Sequence, residues 1–295
     1  MSRRRCCCTT TAKGYLFGGY ASTGIPNASN QEYDSSGDSW SSKTGMTAGR
    51  AQHASGVVNS KGYVACGINT AFAKQQTLFE YVVDTWTTKT SAPTPARDTC
   101  GAAGNSTDLY VSGGTDGAST LTDLDAYNQS GDSWSAKTSL PSPDRGSHGF
   151  AYLGSYIYAV VGVQSGPTYL RDTDRYDPSG DSWSAKTDAP TPARATDQGC
   201  GALDSYLYIT GGYDGTNYIA DHDQYTEDTW ASKTDNPTAR RVAGETAIGS
   251  ALSAISGLRG TAPFYLTTHE NYTVDTWSSK AGVTNARAIA GAVSL

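Results

Sequence analysis

Six arginines, Arg50, Arg97, Arg145, Arg194, Arg240 and Arg287, each follow a tryptophan by ten or eleven residues. A guanidinium offers a planar fork of N–H donors. Six of them around one opening would grip a carboxylate, an acidic peptide or a sialic-acid-like sugar through bidentate bonds. The structural alternative is that each arginine pairs with the aspartate before a tryptophan or caps backbone carbonyls. Three residues past the arginine stand His53, Cys100, His148 and Asp197, with Ala243 and Ala290 in the other two units. These are metal-ligand types, but a shared ion needs them within about 2–2.3 Å of it. Equivalent positions around a ring lie too far apart for that, so no metal and no cofactor is expected. His222 and His269 occupy other positions and build no constellation.

Other groups recur in part. Acidic pairs at alternate spacing, Asp123 and Asp125, Asp172 and Asp174, Asp221 and Asp223, place two carboxylates on one face of a strand. They read as strand chemistry, with a calcium or basic-partner patch as the alternative. Aromatic residues sit among Ser, Thr, Asn and Gly in the variable loops: Tyr20, Phe72, Tyr169, Tyr213, Tyr218, Phe264 and Tyr265. Rings beside adaptable polar groups suit recognition of a sugar or a protein surface. At the start of the chain Cys6, Cys7 and Cys8 match no zinc spacing. They read as free thiols on a flexible tail, or as a tether to a partner.

What positions these residues is a repeat. The tryptophans fall at Trp40, Trp86, Trp134, Trp183, Trp230 and Trp277, at spacings of 46, 48, 49, 47 and 47. Each lies in Asp-Ser/Thr-Trp-x-x-Lys. Five or seven residues earlier comes Tyr33, Tyr81, Tyr127, Tyr176, Tyr225 or Tyr272. A strand ending in a glycine pair or its remnant precedes the variable loop, as in Tyr15 to Gly19, Tyr110 to Gly114 and Tyr208 to Gly212. Tight turns such as Pro178-Ser-Gly180-Asp lead into the tryptophan strand. Four short antiparallel strands per unit describe a propeller blade.

Composition agrees. The 295 residues include 33 glycines, 19 tyrosines and 6 tryptophans, with 17% charged residues and a net charge of −6. That much ring surface argues against disorder, and the negative balance argues against a nucleic-acid partner. No apolar run of the length of a signal peptide follows Arg3-Arg4-Arg5. No stretch reaches the ~20 apolar residues that span a bilayer.

On these residues the chain resembles the kelch-repeat family, with its Gly-Gly, Tyr and Trp at set spacing over residues 13–295. It is similar to kelch proteins of bacteriophage and bacterial genomes. The resemblance implies an all-β, six-bladed propeller. The final segment, Arg287 to Leu295, aligns with Arg50 to Val58, so it is expected to complete the blade that the N-terminus begins. Residues 1–12 are a tail. Blade 1 takes 13–49 with 287–295, then blades 2 to 6 take 50–96, 97–144, 145–193, 194–239 and 240–286.

No nucleophile elbow, phosphate loop or metal motif appears. The expectation is a non-catalytic module that binds a protein or a glycan, or is structural. It would be a virion appendage or decoration protein, or lie at a cell surface, tethered by its tail. The alternative implied by the family is a sugar-processing enzyme like the sialic acid mutarotases, which also have six blades.

Overall fold

The computed structural model describes residues 13–197, 199–226, 228–241, 244–262 and 264–295. These form six antiparallel sheets around a common axis. Five innermost strands are Ala54–Val58, Gly101–Gly104, Gly149–Leu153, Cys200–Leu203 and Gly244–Ile248. The sixth is the C-terminal strand Gly291–Ser294, which pairs with Lys13–Phe17 from Gly14↔Ser294 to Phe17↔Gly291. The expected closure is therefore present. The all-β ring has six blades, numbered below from the one that contains Lys13–Phe17. Among the described residues no helix is long and apolar enough to cross a membrane.

Each strand's place follows from its residues. Innermost strands are built of small residues because they crowd the axis: a Cβ on Gly149 would stand 2.6 Å from the Cβ of Cys200. Second strands, such as Lys61–Ala65, are almost wholly buried between neighbouring blades. Outermost strands, such as Ser133–Lys137, face solvent apart from the tryptophan and lysine.

The second strand ends in a left-handed turn. At Gly113, with φ 55°, a Cβ would collide with the Arg145 carbonyl oxygen. Units that have lost this glycine keep the turn, with Cys66 at φ 62°, Val161 at 52° and Ser256 at 62°. The surrounding blade imposes the conformation on residues that do not favour it.

The repeated Asp-x-Trp is an inter-blade clasp. Trp86 Nε1 donates to the Thr44 carbonyl at 2.8 Å, while the Thr44 N–H donates to Asp84 Oδ1 at 2.6 Å. Trp134 and Asp132 hold Thr90 in the same way, Trp183 and Asp181 hold Thr138, Trp230 and Asp228 hold Thr187, and Trp277 and Asp275 hold Thr234. Trp40 and Asp38 grip Ala281 of blade 6, completing the circle. The tyrosine hydroxyl of the same blade donates to the same aspartate, as Tyr127 does to Asp132 at 2.8 Å. Its ring packs at 5.0–5.3 Å from the tryptophan in all six units.

Trp86 is the most enclosed of the six tryptophans, at 9% exposure. Trp86→Ala is expected to cost about 3–5 kcal/mol of folding stability. The readout is a lowered urea midpoint with an unchanged denaturant slope, followed by circular dichroism.

Candidate ligand-binding site

The six arginines open the innermost strands, but their guanidiniums turn into the blades, at 0–2% exposure. Each reaches the third strand of its own blade, or the segment that leads into it. Arg145 pairs with Asp174 at 2.5 Å and Arg194 with Asp223 at 2.5 Å, while Arg97 pairs with Asp125 and Arg240 with Glu270. In blades 1 and 2 neutral partners replace the carboxylate: Arg287 donates to Gln31 at 2.6 Å, and Arg50 to Thr77 and Gln75. Burial pushes the Asp125 and Asp174 carboxyls up, opposed by the guanidinium beside each. The structure thus corrects the expectation of six forks facing one ligand, because these donors already serve buried partners. Of the structural alternative, the capping of backbone carbonyls is present, as Arg240 donates to the Ser256 carbonyl at 3.1 Å and Arg287 to that of Gly18 at 3.2 Å, but the carboxylate pairing is corrected. The partner is not the aspartate before the tryptophan, which belongs to the clasp, but the second member of each acidic pair. Of the first members, Asp221 stands 3.3 Å from Arg194.

The candidate metal ligands are held apart. His53 Nε2 meets the Phe17 carbonyl at 3.1 Å, and His148 Nε2 meets Ser112 Oγ at 2.7 Å, each at a different blade junction. Burial pulls His53 down to about 4 and His148 to about 3, so both rings are neutral. His222, beside Thr210 at 2.8 Å, is pulled down to about 3. His269 packs edge-on against Tyr33 at 4.4 Å and is pulled down to about 4. Among the described residues no three His, Cys, Asp or Glu groups converge.

Asp197 does not share a register with His53, as equal spacing from the arginine suggests. A run of backbone bonds links neighbouring blades near the axis: Gln52 N to Ile289 O, Thr99 N to Gln52 O, Ser147 N to Thr99 O, and Asp197 N to Ser147 O, at 2.8–3.2 Å. All five residues have φ of 49–54°. Asp197 is therefore the counterpart of Gln52, Thr99 and Ser147, shifted by one extra residue in its unit.

That shift puts a carboxylate at the mouth of the channel. Asp197 accepts two bonds from Arg241, from Nε at 2.6 Å and from Nη2 at 2.8 Å. The Arg241 guanidinium lies 6.0 Å from the Tyr213 ring. Tyr213 in turn packs against Tyr169 at 6.0 Å and Tyr218 at 5.1 Å. Elsewhere on the rim Lys74 holds Asp98 at 2.6 Å. Tyr20 is raised to about 12 by its burial first, and then by Asp98, Tyr265 and Asp197. It belongs to blade 1, whereas the two aspartates come from blades 3 and 5. Of the seven loop aromatics named from the sequence, Tyr169, Tyr213 and Tyr218 gather beside Arg241, and Tyr20 feels the charges of Asp98 and Asp197. Phe72 and Phe264 instead stand 57% and 55% exposed on their loops.

Below the rim a cavity of about 270 Å³ is lined by all six innermost strands, with His148, Asp197 and Glu245 among its walls. Glu245 is buried. Thr210 donates to its Oε1 at 3.0 Å, while Oε2 has no partner among the described residues. Burial pushes this carboxyl up to about 8.

Sequence reasoning missed Arg241, Asp98, Lys74 and Glu245. A signal existed for two of them. The residue after each ring arginine is small in four units, as Ala51, Gly146, Ala195 and Ala288, but charged in the others, as Asp98 and Arg241. Cys6, Cys7 and Cys8 lie outside the described residues.

Comparisons with known proteins agree with this fold. The model of the KLHDC2/KLHL20/DRC7 Kelch-repeats domain matches residues 4–212. The solved structure of YjhT is similar with a TM-score of 0.72 at 15% identity, over 92% of this chain and 99% of that chain. No curated protein is matched. The structural match corrects the expectation of a non-catalytic module. At 15% identity the likeness to YjhT shows the fold alone, and enzyme status is unresolved. Nothing in these matches supports a virion appendage.

Two outcomes test these assignments. Asp174→Ala strands the Arg145 guanidinium in the blade and is expected to cost about 3–5 kcal/mol in chemical denaturation. For Glu245, the native carboxyl binds its proton more tightly than the unfolded one, whose value is near 4.5. The resulting penalty is absent below that value, grows as pH rises, and is complete above about 8. Glu245→Gln is therefore expected to melt with the parent near pH 4 and above it at pH 8, each tenfold tightening of the proton's hold being worth about 1.4 kcal/mol. An equal difference at both pH values refutes the assignment.

Proposed function

This chain belongs to the kelch-repeat family, and from that premise we propose that its ring binds a carbohydrate at the mouth of the central channel. The observation that carries the reading is the Asp197–Arg241 pair set among Tyr169, Tyr213 and Tyr218. A sugar ring has C–H faces that lie against flat aromatic rings, and hydroxyls at its edge that need fixed donors and acceptors. Both are supplied here. Asp197 holds the Arg241 fork in one orientation before any ligand arrives, which lowers the ordering cost of binding. The Nη1 of Arg241 makes no hydrogen bond among the described residues and is left for a ligand oxygen. Tyr20 stays protonated at neutral pH and is a donor there. A broad protein surface would draw instead on the exposed Phe72 and Phe264.

A second reading, interconversion of the bound sugar's anomers, is favoured by the six-bladed ring that the chain shares with YjhT. It uses the same site and is read in the same experiment.

Labelled protein on a glycan array is expected to bind a restricted set of sugars. Tyr213→Ala and Arg241→Ala are each expected to weaken that binding by about tenfold or more, while Phe72→Ala leaves it unchanged. A blank array, or full binding by both rim variants, overturns the proposal. Proton spectra of the bound sugars then read whether the rate of anomer exchange rises with protein.

A further inference from the structure

Two internal cysteines meet at a place the ligand site does not use. Cys66 occupies the left-handed turn at the end of blade 2's second strand, the position of Gly18, Gly113 and Gly211 in other units. Cys100 immediately precedes the innermost strand of blade 3, the position of His53 and His148. The fold brings these two positions face to face. At the next junction a Cβ on Gly113 would stand 3.1 Å from Cε1 of His148. Where blade 2 meets blade 3, the glycine and the histidine have both become cysteine.

The two thiols share one apolar cluster with Ala54, Tyr63, Val111 and Tyr127, at 0% and 2% exposure. Cys100 and the Arg97 guanidinium both act on the Cys66 sulfur. Together they hold Cys66 below the ordinary thiol range in spite of its burial. Cys200 offers a contrast: it is alone between blades 4 and 5, and burial pushes its thiol well up.

We propose that Cys66 and Cys100 are a redox pair that closes into a disulfide joining blade 2 to blade 3. The Cys66 thiolate attacks one sulfur of a small disulfide, such as oxidised glutathione, and expels one thiolate. Cys100 then gives up its proton and displaces the second, forming the protein S–S bond. Two protein thiols are oxidised, one small disulfide is reduced to two thiols, and the two protons end on the thiols released. Because the pair is buried, the oxidant meets it when this junction opens or before the ring has closed.

The test uses the full chain with Cys6, Cys7 and Cys8 replaced by serine, so that tail thiols do not exchange. The reduced, unfolded protein is refolded with oxidised glutathione, trapped with an alkylating agent and digested without reductant. The expected result is a Cys66–Cys100 linked peptide, a loss of two hydrogen masses from the intact chain, and an alkylated Cys200. Cys100→Ser should remove the linked peptide and leave a glutathione adduct on Cys66. A folded monomer in which Cys66 and Cys100 both carry the alkylating agent overturns the proposal, as does a bond from either one to Cys200. None of these readouts involves a ligand, so this inference stands or falls separately from sugar binding.

Discussion

The ring depends on one small contact made six times: an aspartate and a tryptophan of one blade holding the N–H and C=O of a single residue in the blade before it. That residue, Thr44, Thr90, Thr138, Thr187, Thr234 or Ala281, comes just after an outermost strand. Such strands are sheet edges, and an edge with free backbone groups invites pairing with another chain. The clasp turns the segment at that edge into the joint with the next blade. It also sets direction, since each blade holds its predecessor and blade 1 holds blade 6. The outer circumference is closed by these side chains, and the inner one by Gly291–Ser294 lying beside Lys13–Phe17.

The buried arginines do for a blade's own strands what the clasp does between blades. Each ties the start of the innermost strand to the third, across the left-handed turn that ends the second. A charge at 0–2% exposure is tolerable only with a partner, and removing the partner costs more than the pair is worth. Blades 1 and 2 keep the arginine but use Gln31, Thr77 and Gln75, so the geometry of the tie is kept where its charge balance is not.

The fold was legible because its constraints repeat. Tryptophan, arginine and tyrosine at fixed offsets, with the Arg287 to Leu295 segment echoing Arg50 to Val58, specify six blades and their closure. The direction of the arginine side chains was not legible. A repeated residue at the start of an inner strand is compatible with a fork facing the axis or a fork facing inward, and only the burial of its carboxylate partner decides. The place of Asp197 was hidden by a single inserted residue, which changes which backbone group lies at the axis without disturbing the arginine spacing. Four loop tyrosines were found from their composition, since rings among small polar residues stand out in any loop. Arg241 was masked by the ring arginine next to it.

A ring of equivalent units gives an axial opening the same chemistry from every side unless one position breaks the pattern. The break comes where the residue after the buried arginine stops being small. Asp98 and Arg241 stand in blades 3 and 6, opposite one another across the axis, and each has found a counter-ion from a neighbouring unit, Lys74 and Asp197. The rim gains two oriented ion pairs and no net charge. A uniformly charged rim would attract any ion of the opposite sign. Opposite charges fixed in pairs, with Tyr169, Tyr213 and Tyr218 beside one of them, instead set donors and acceptors at defined positions. In this propeller the invariant residues maintain the ring, and the chemistry of the axial rim is left to the positions where the six units differ.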